Sequence, residues 1–130
     1  MLVVDASILV AALADDGRDG DLARSRLRGE VLAAPELADL EVASVLRRQV
    51  AVGAVDGRRA ELALTDLADL PMVRVAHRRL LPRCWQLRDN LSVYDAAYVA
   101  LAEHLGATLV TAAARLARAP GPRCPVELLS

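Results

Sequence analysis

The chain has 130 residues, 16 basic and 17 acidic side chains for a net charge of −1, and is 55% hydrophobic but only 2% aromatic. This excludes a disordered polypeptide, and a chain of this length buries enough surface in one core to need no disulfide framework or metal staple. No apolar stretch approaches the roughly 18 residues that span a bilayer, and Met1-Leu2-Val3-Val4-Asp5 lacks the basic lead of a secretory signal, so the chain reads as a single cytoplasmic domain over residues 1–130 with no membrane partner.

Leu2 to Val4 is a short, partly β-branched run that predicts a strand stopping at Asp5, and Ser7 to Ala14 has helical composition up to Asp15-Asp16-Gly17. A second helix is expected from about Asp21 to Arg28, then a strand over Val31 to Ala34. Pro35 is expected to open a longer helix reaching about Val52, closed by Gly53. Arg58 to Leu70 reads as a helix with Ala60, Leu64, Leu67 and Ala68 at helical spacing, and Met72 to Ala76 as the next strand. His77 to Leu87 is expected to be helical, with Pro82 in or near its first turn. Ser92 caps a predicted helix from Val93 to Leu105, ended by Gly106, and Thr108 to Thr111 forms a strand. A short helix and a strand over Val126 to Leu129 finish the chain. Strands alternating with helices predict an α/β fold: a mainly parallel central sheet in a three-layer α/β/α arrangement. Ligands of such sheets sit beyond the carboxyl ends of the strands, the edge that holds Asp5 and the segment from Thr111 to Arg115.

Several chemistries are excluded by what is missing. Cys84 and Cys124 form no CxxC pair and no zinc set, and they read as free thiols. All sixteen basic residues are arginine, which rules out a P-loop, and the seven glycines form no GxGxxG. His77 and His104 stand alone, so no histidine base is suggested.

Three carboxylates stand out. Asp5 follows the first strand, where it either caps the next helix or belongs to a site. Glu41 shares a helical face with Leu37 and Val45, flanked by Leu40 and Ser44, and a carboxylate among apolar neighbours needs a partner or a shifted pKa. That partner is either an arginine such as Arg47 or Arg48, or a cation. Asp95 completes an S-x-x-D capping box with Ser92, yet it also begins a stripe with Tyr98, Val99 and Ala102. Gathered at one sheet edge, such groups repel by about 4 kcal/mol per close pair at an effective dielectric near 20. A hard divalent cation, Mg²⁺ or Mn²⁺, suits an all-oxygen set and lowers the pKa of bound water enough to attack a phosphodiester.

Three segments together carry a resemblance: Val3-Val4-Asp5-Ala6-Ser7; Leu40-Glu41-Val42-Ala43-Ser44-Val45-Leu46-Arg47-Arg48; and Tyr94-Asp95-Ala96-Ala97-Tyr98 through Glu103, followed by Leu109-Val110-Thr111. In order and spacing the chain resembles a PIN domain of the VapC toxin type. The resemblance implies a metal-dependent endoribonuclease cutting structured RNA, commonly tRNA or ribosomal RNA, restrained by a VapB-type antitoxin and forming a homodimer. It implies Asp5, Glu41 and Asp95 as catalytic metal ligands, with Ser7, Thr111, Ala113 and Arg115 lining the pocket. One position departs: the family pattern resembles Thr-x-Asp-x-Arg-Leu, whereas this chain reads Thr111-Ala112-Ala113-Ala114-Arg115-Leu116. Ala113 stands where a fourth carboxylate is expected, so a catalytically weakened or silent domain that still binds antitoxin or RNA is the alternative.

Other features read plainly. Arg47-Arg48, Arg58-Arg59 and Arg78-Arg79 are solvated helix faces or phosphate contacts, and Arg115 adjoins the pocket. Trp85, Tyr94 and Tyr98 are too few for a stacking platform and suit a core or an interface. Asp15, Asp16, Asp19 and Asp21 lack EF-hand spacing and read as a solvated turn. A receiver-type signalling domain also holds Mg²⁺ at such an edge, but it needs a lysine this chain lacks.

Overall fold

Short β-branched runs become the interior of a sheet because both of its faces are covered. In the computed structural model, which describes Met1–Ser130, the strands β1 (Leu2–Val4), β2 (Leu32–Pro35), β3 (Met72–Val75), β4 (Thr108–Thr111) and β5 (Val126–Leu128) form one sheet in the order β3-β2-β1-β4-β5. Every pairing is parallel. The helices are α1 (Ala6–Ala14), α2 (Arg18–Leu27), α3 (Leu37–Ala51), α4 (Gly57–Asp69), α5 (Leu81–Gln86), α6 (Val93–Leu105) and α7 (Ala114–Arg118), with a 3₁₀ turn at Arg78–Leu80. The helices α1 to α4 pack on one another, and α5 packs on α6. Right-handed crossovers put the first group on one face of the sheet and the second on the other.

The chain runs outward from β1 to β3, then returns to the far side of β1 for β4. The strand order therefore reverses between β1 and β4, and the carboxyl ends of these two strands border the crevice where sheets of this kind bind ligands. One contiguous cluster of 34 buried apolar residues fills the interior. Small side chains on α6, among them Ala96, Ala97 and Ala100, let this helix lie close to β1, β2 and β4. No helix is long and apolar enough to cross a membrane.

Most predicted elements occur within a residue or two, and the differences have physical causes. Pro35 ends β2 rather than opening α3: it pairs in register with Val75 and needs no N–H for that position. The helix α2 begins at Arg18, earlier than Asp21, so Gly20 lies inside it; a Cβ there would stand 1.8 Å from the Asp15 carbonyl oxygen. The buried stripe of α3 is Ala38, Val42 and Leu46, one position from the expected Leu37–Glu41–Val45 face, and Leu40 and Ser44 are exposed. On α4, Ala63 rather than Leu64 joins Ala60 and Leu67 in the core. The segment after β3 splits into the 3₁₀ turn and α5, with Pro82 in the first turn of α5.

Candidate active site

Asp5 is held from several directions. Its Oδ1 accepts from the Ser7 hydroxyl at 2.5 Å and from the Ile8 N–H at 3.2 Å, and its Oδ2 accepts from the Thr111 hydroxyl at 2.5 Å. The two hydroxyls are themselves positioned, because the N–H of Ala112 donates to Ser7 Oγ and that of Ala113 to Thr111 Oγ1, each at 3.0 Å. The end of β4 is thus tied to the end of β1 through the side chains around Asp5. Burial raises the Asp5 pKa, the hydrogen bonds from Ser7, Thr111 and Ile8 oppose the rise, and the nearby Asp95 charge adds to it. Asp5 caps α1, as one of its two readings expected, and it also feels the charge of Asp95.

Glu41 has a partner that sequence reasoning did not assign. The phenol of Tyr98, on α6 and only 1% exposed, donates to Glu41 Oε1 at 2.6 Å. Neither Arg47 nor Arg48 pairs with the carboxylate; Arg48 donates instead to Ser44. Burial raises the Glu41 pKa, the tyrosine hydrogen bond lowers it, and the charges of Asp95 and Asp5 raise it again. The Tyr98 phenol is pushed far up, first by burial and then by its bond to Glu41, so it stays a donor. The signal for this residue in the sequence was its place one turn after Asp95 on a buried face.

Asp95 sits in the first turn of α6, where its N–H donates to the Ser92 hydroxyl at 3.1 Å. Its carboxylate makes no return bond to the cap. Oδ2 instead accepts from Arg115 Nη1 at 2.5 Å, and the arginine side chain is 71% exposed against 16% for the aspartate. The capping box is therefore half formed, and the carboxylate of Asp95 is held by Arg115.

The charges of Asp95 and Asp5 both raise the pKa of Glu41, and that of Asp95 raises the pKa of Asp5, so these three chain-distant carboxylates act on one part of the fold. In this conformation no three His, Cys, Asp or Glu side chains are grouped tightly enough to enclose an ion. One carboxylate of the three, Asp95, has a guanidinium counter-charge. The chemistry of these side chains fits a hard cation: they offer only carboxylate oxygens, and burial together with neighbouring negative charge makes Asp5 and Glu41 favour a positive neighbour. Thr111 is fully buried and acts on Asp5 rather than lining open space. Ser7 and Ala112 border a groove of about 860 Å³ beside α1, and Arg115 borders a separate pocket. Ala113 lies against the core and its N–H reaches Thr111, one hydroxyl away from Asp5.

The remaining candidates lie apart from this edge. The acidic turn is self-contained, with Asp15 Oδ1 accepting from the Gly17 N–H at 2.7 Å and Arg24 reaching the carbonyls of Ala12 and Asp15. Arg59 pairs with Asp16. Trp85 and Tyr94 are exposed, and Cys84 and Cys124 are free thiols.

The PIN-domain family model matches residues 2–122. Ribonuclease VapC9 of Mycobacterium tuberculosis is 45% identical over 132 aligned residues, spanning 99% of this chain and 98% of the relative. The chain is a PIN domain of the VapC family. Its fold matches other members at low identity. The crystal structure of VapC20 from M. tuberculosis, described as a sarcin-ricin loop cleaving toxin, superposes with a TM-score of 0.65 at 20% identity over 84% of this chain and 87% of that one. VapBC2 from Rickettsia felis, solved bound to a DNA fragment from its promoter, gives 0.71 at 14% identity over 99% of this chain and 98% of that one.

Proposed function

We propose that this VapC-family protein is a toxin endoribonuclease that hydrolyses phosphodiester bonds in structured RNA of the tRNA or ribosomal class, with Asp5, Glu41 and Asp95 holding Mg²⁺ or Mn²⁺. The observation that carries the reading is that Asp5, just after β1, and Asp95, on α6, both press their charge on Glu41 of α3, although the three are distant in the chain. The near full-length likeness to a named ribonuclease supports it. When bound, the cation supplies positive charge at the pocket and lowers the pKa of water there. Ser7 and Thr111 fix both oxygens of Asp5, so its carboxylate is oriented before any ligand arrives. Tyr98 fixes Glu41 through Oε1 and leaves Oε2 for the ion. Arg115 balances the charge of Asp95 in the free protein, and its exposed arm can turn away when another cation takes that place.

A VapB-type antitoxin is the proposed partner. The groove beside α1 combines apolar Ile8, Val10 and Leu22 with Asp15, Asp19 and Asp56, which suits an amphipathic basic segment. A homodimer is part of the same proposal. The second reading, a silent domain, draws on Ala113 and the Arg115–Asp95 pair.

The test is cleavage of labelled tRNA and ribosomal hairpin RNA with Mg²⁺ or Mn²⁺, with and without chelator, by the wild type and Asp5→Asn. Chelator-sensitive cleavage absent from Asp5→Asn is the expected result. Antitoxin binding with no cleavage by the wild type favours the silent domain.

A further inference from the structure

Next to the acidic edge lies a pocket of opposite character. It has a volume of about 660 Å³ and is bordered by Arg88, Arg115 and Arg118, with Asn90 and Ser92 beside them and Asp89 as its one acidic side chain. The loop between α5 and α6 supplies one wall and α7 the other. We propose that this pocket is a phosphate subsite that holds the RNA backbone beside the bond to be cut; the proposal rests on the ribonuclease reading.

Charge is the first reason. Neither Arg88 nor Arg118 has an acidic partner in the folded chain, so both guanidiniums are available to an outside anion. In a protein of net charge −1, such an excess of positive charge in one pocket is a local feature. The second reason is preorganisation. Arg88 lies over the Trp85 ring, 4.6 Å from its centroid, and its Nη1 donates to the Trp85 carbonyl at 2.8 Å. The plane of this guanidinium is fixed while its other N–H groups stay free, which suits the planar fork that grips phosphate oxygens. The third reason is place. Arg115 borders the pocket and touches Asp95 at 2.5 Å, so an anion seated among the three arginines lies beside the carboxylate edge. An RNA strand bound at the carboxylates meets this pocket through Arg115, which borders both. An acidic protein segment has no comparable reason to sit there.

The experiment measures RNA affinity by fluorescence anisotropy, with labelled tRNA and a labelled ribosomal hairpin as probes, in an Asp5→Asn background that prevents cleavage. Arg88→Gln and Arg118→Gln are chosen because neither side chain touches the carboxylates, and circular dichroism checks that each variant stays folded. Each is expected to weaken binding about 3- to 10-fold and to lower the slope of log K against log salt concentration by about 1, the double variant by about 2. Arg28→Gln, an equal charge loss at the exposed end of α2, should leave the slope unchanged. Inorganic phosphate alone should give no saturable heat by calorimetry.

If the double variant binds with the parent's affinity and slope, or loses no more than Arg28→Gln, the subsite is overturned while the ribonuclease reading stands. If the Asp5→Asn parent binds neither RNA, both fall. Saturable binding of inorganic phosphate with RNA binding unchanged assigns the pocket to a free anion and overturns the RNA subsite. Loss of antitoxin binding with RNA binding intact assigns it to a protein and overturns it equally.

Discussion

Tyr98 joins the core to the chemistry. Its ring is packed among the buried face of α6 while its phenol holds Glu41, so one side chain secures both the helix and a proposed cation ligand. Tyr98→Phe keeps the ring and removes only the hydroxyl, leaving a half-buried carboxylate without its donor. The variant is expected to lose about 1 kcal/mol of stability in urea unfolding. Its affinity for Mn²⁺ in isothermal titration should fall about tenfold, as for other residues that orient metal ligands. A melting temperature and Mn²⁺ affinity equal to wild type would mean that Glu41 needs no such support. Asp5 poses the opposite case: Asp5→Asn preserves the shape, relieves a buried charge, and should retain the fold by circular dichroism while losing cleavage.

Helix α7 follows Ala113, an N-cap residue that supplies no side-chain hydrogen bond. Ala113→Asp places a good capping residue there and should raise stability by about 1 kcal/mol in thermal unfolding. If the new carboxylate also reaches the pocket, Mn²⁺ affinity rises; a higher melting temperature with unchanged affinity would confine the position to a cap. Elements bounded by strong local signals were legible in the sequence. Ser92 and Gly106 bracket α6 at the predicted residues, and Gly106 takes the left-handed φ of 62° that favours glycine at a helix end. Local rules failed where tertiary packing decided. Gly20 looks like a turn residue, yet it sits inside α2 because only a residue without Cβ passes the Asp15 carbonyl. The three carboxylates were readable one by one as site candidates. The Tyr98–Glu41 and Arg115–Asp95 contacts were not, because they join residues 57 and 20 positions apart that meet only once the layers pack.

Across the molecule, two arginine pairs fasten late segments to earlier ones. Arg26 on α2 grips Glu127 on β5 with bonds of 2.6 and 3.1 Å, and Arg83 on α5 grips Glu103 on α6 with bonds of 2.7 and 3.1 Å. At Glu103, burial pushes the pKa up, but the bonds from Arg83 and the Arg123 N–H outweigh it and the net shift is downward. The Arg26 bonds likewise hold Glu127 below its ordinary value. A carboxylate depressed in the folded state stabilises the protein fully above its unfolded pKa, near 4.3, and loses that contribution as pH falls through the lower folded value. Glu103→Gln should therefore cost about 1 to 2 kcal/mol near neutral pH. In thermal unfolding across pH 7 to 3, its melting temperature should approach that of the wild type below roughly pH 4. A gap that stays constant over this range would show that the charge contributes nothing.

The placement of β1 at the middle of the sheet has a further consequence. Asp5 leaves the ribosome among the first residues made, but Thr111, which orients it, and Arg115 emerge almost last. A nascent chain stalled before residue 108 therefore has the first acid with Ser7 but without the Thr111 hydroxyl or the strand β4 that carries it. On the proposed ribonuclease reading, the acidic pocket is assembled only when synthesis is nearly finished.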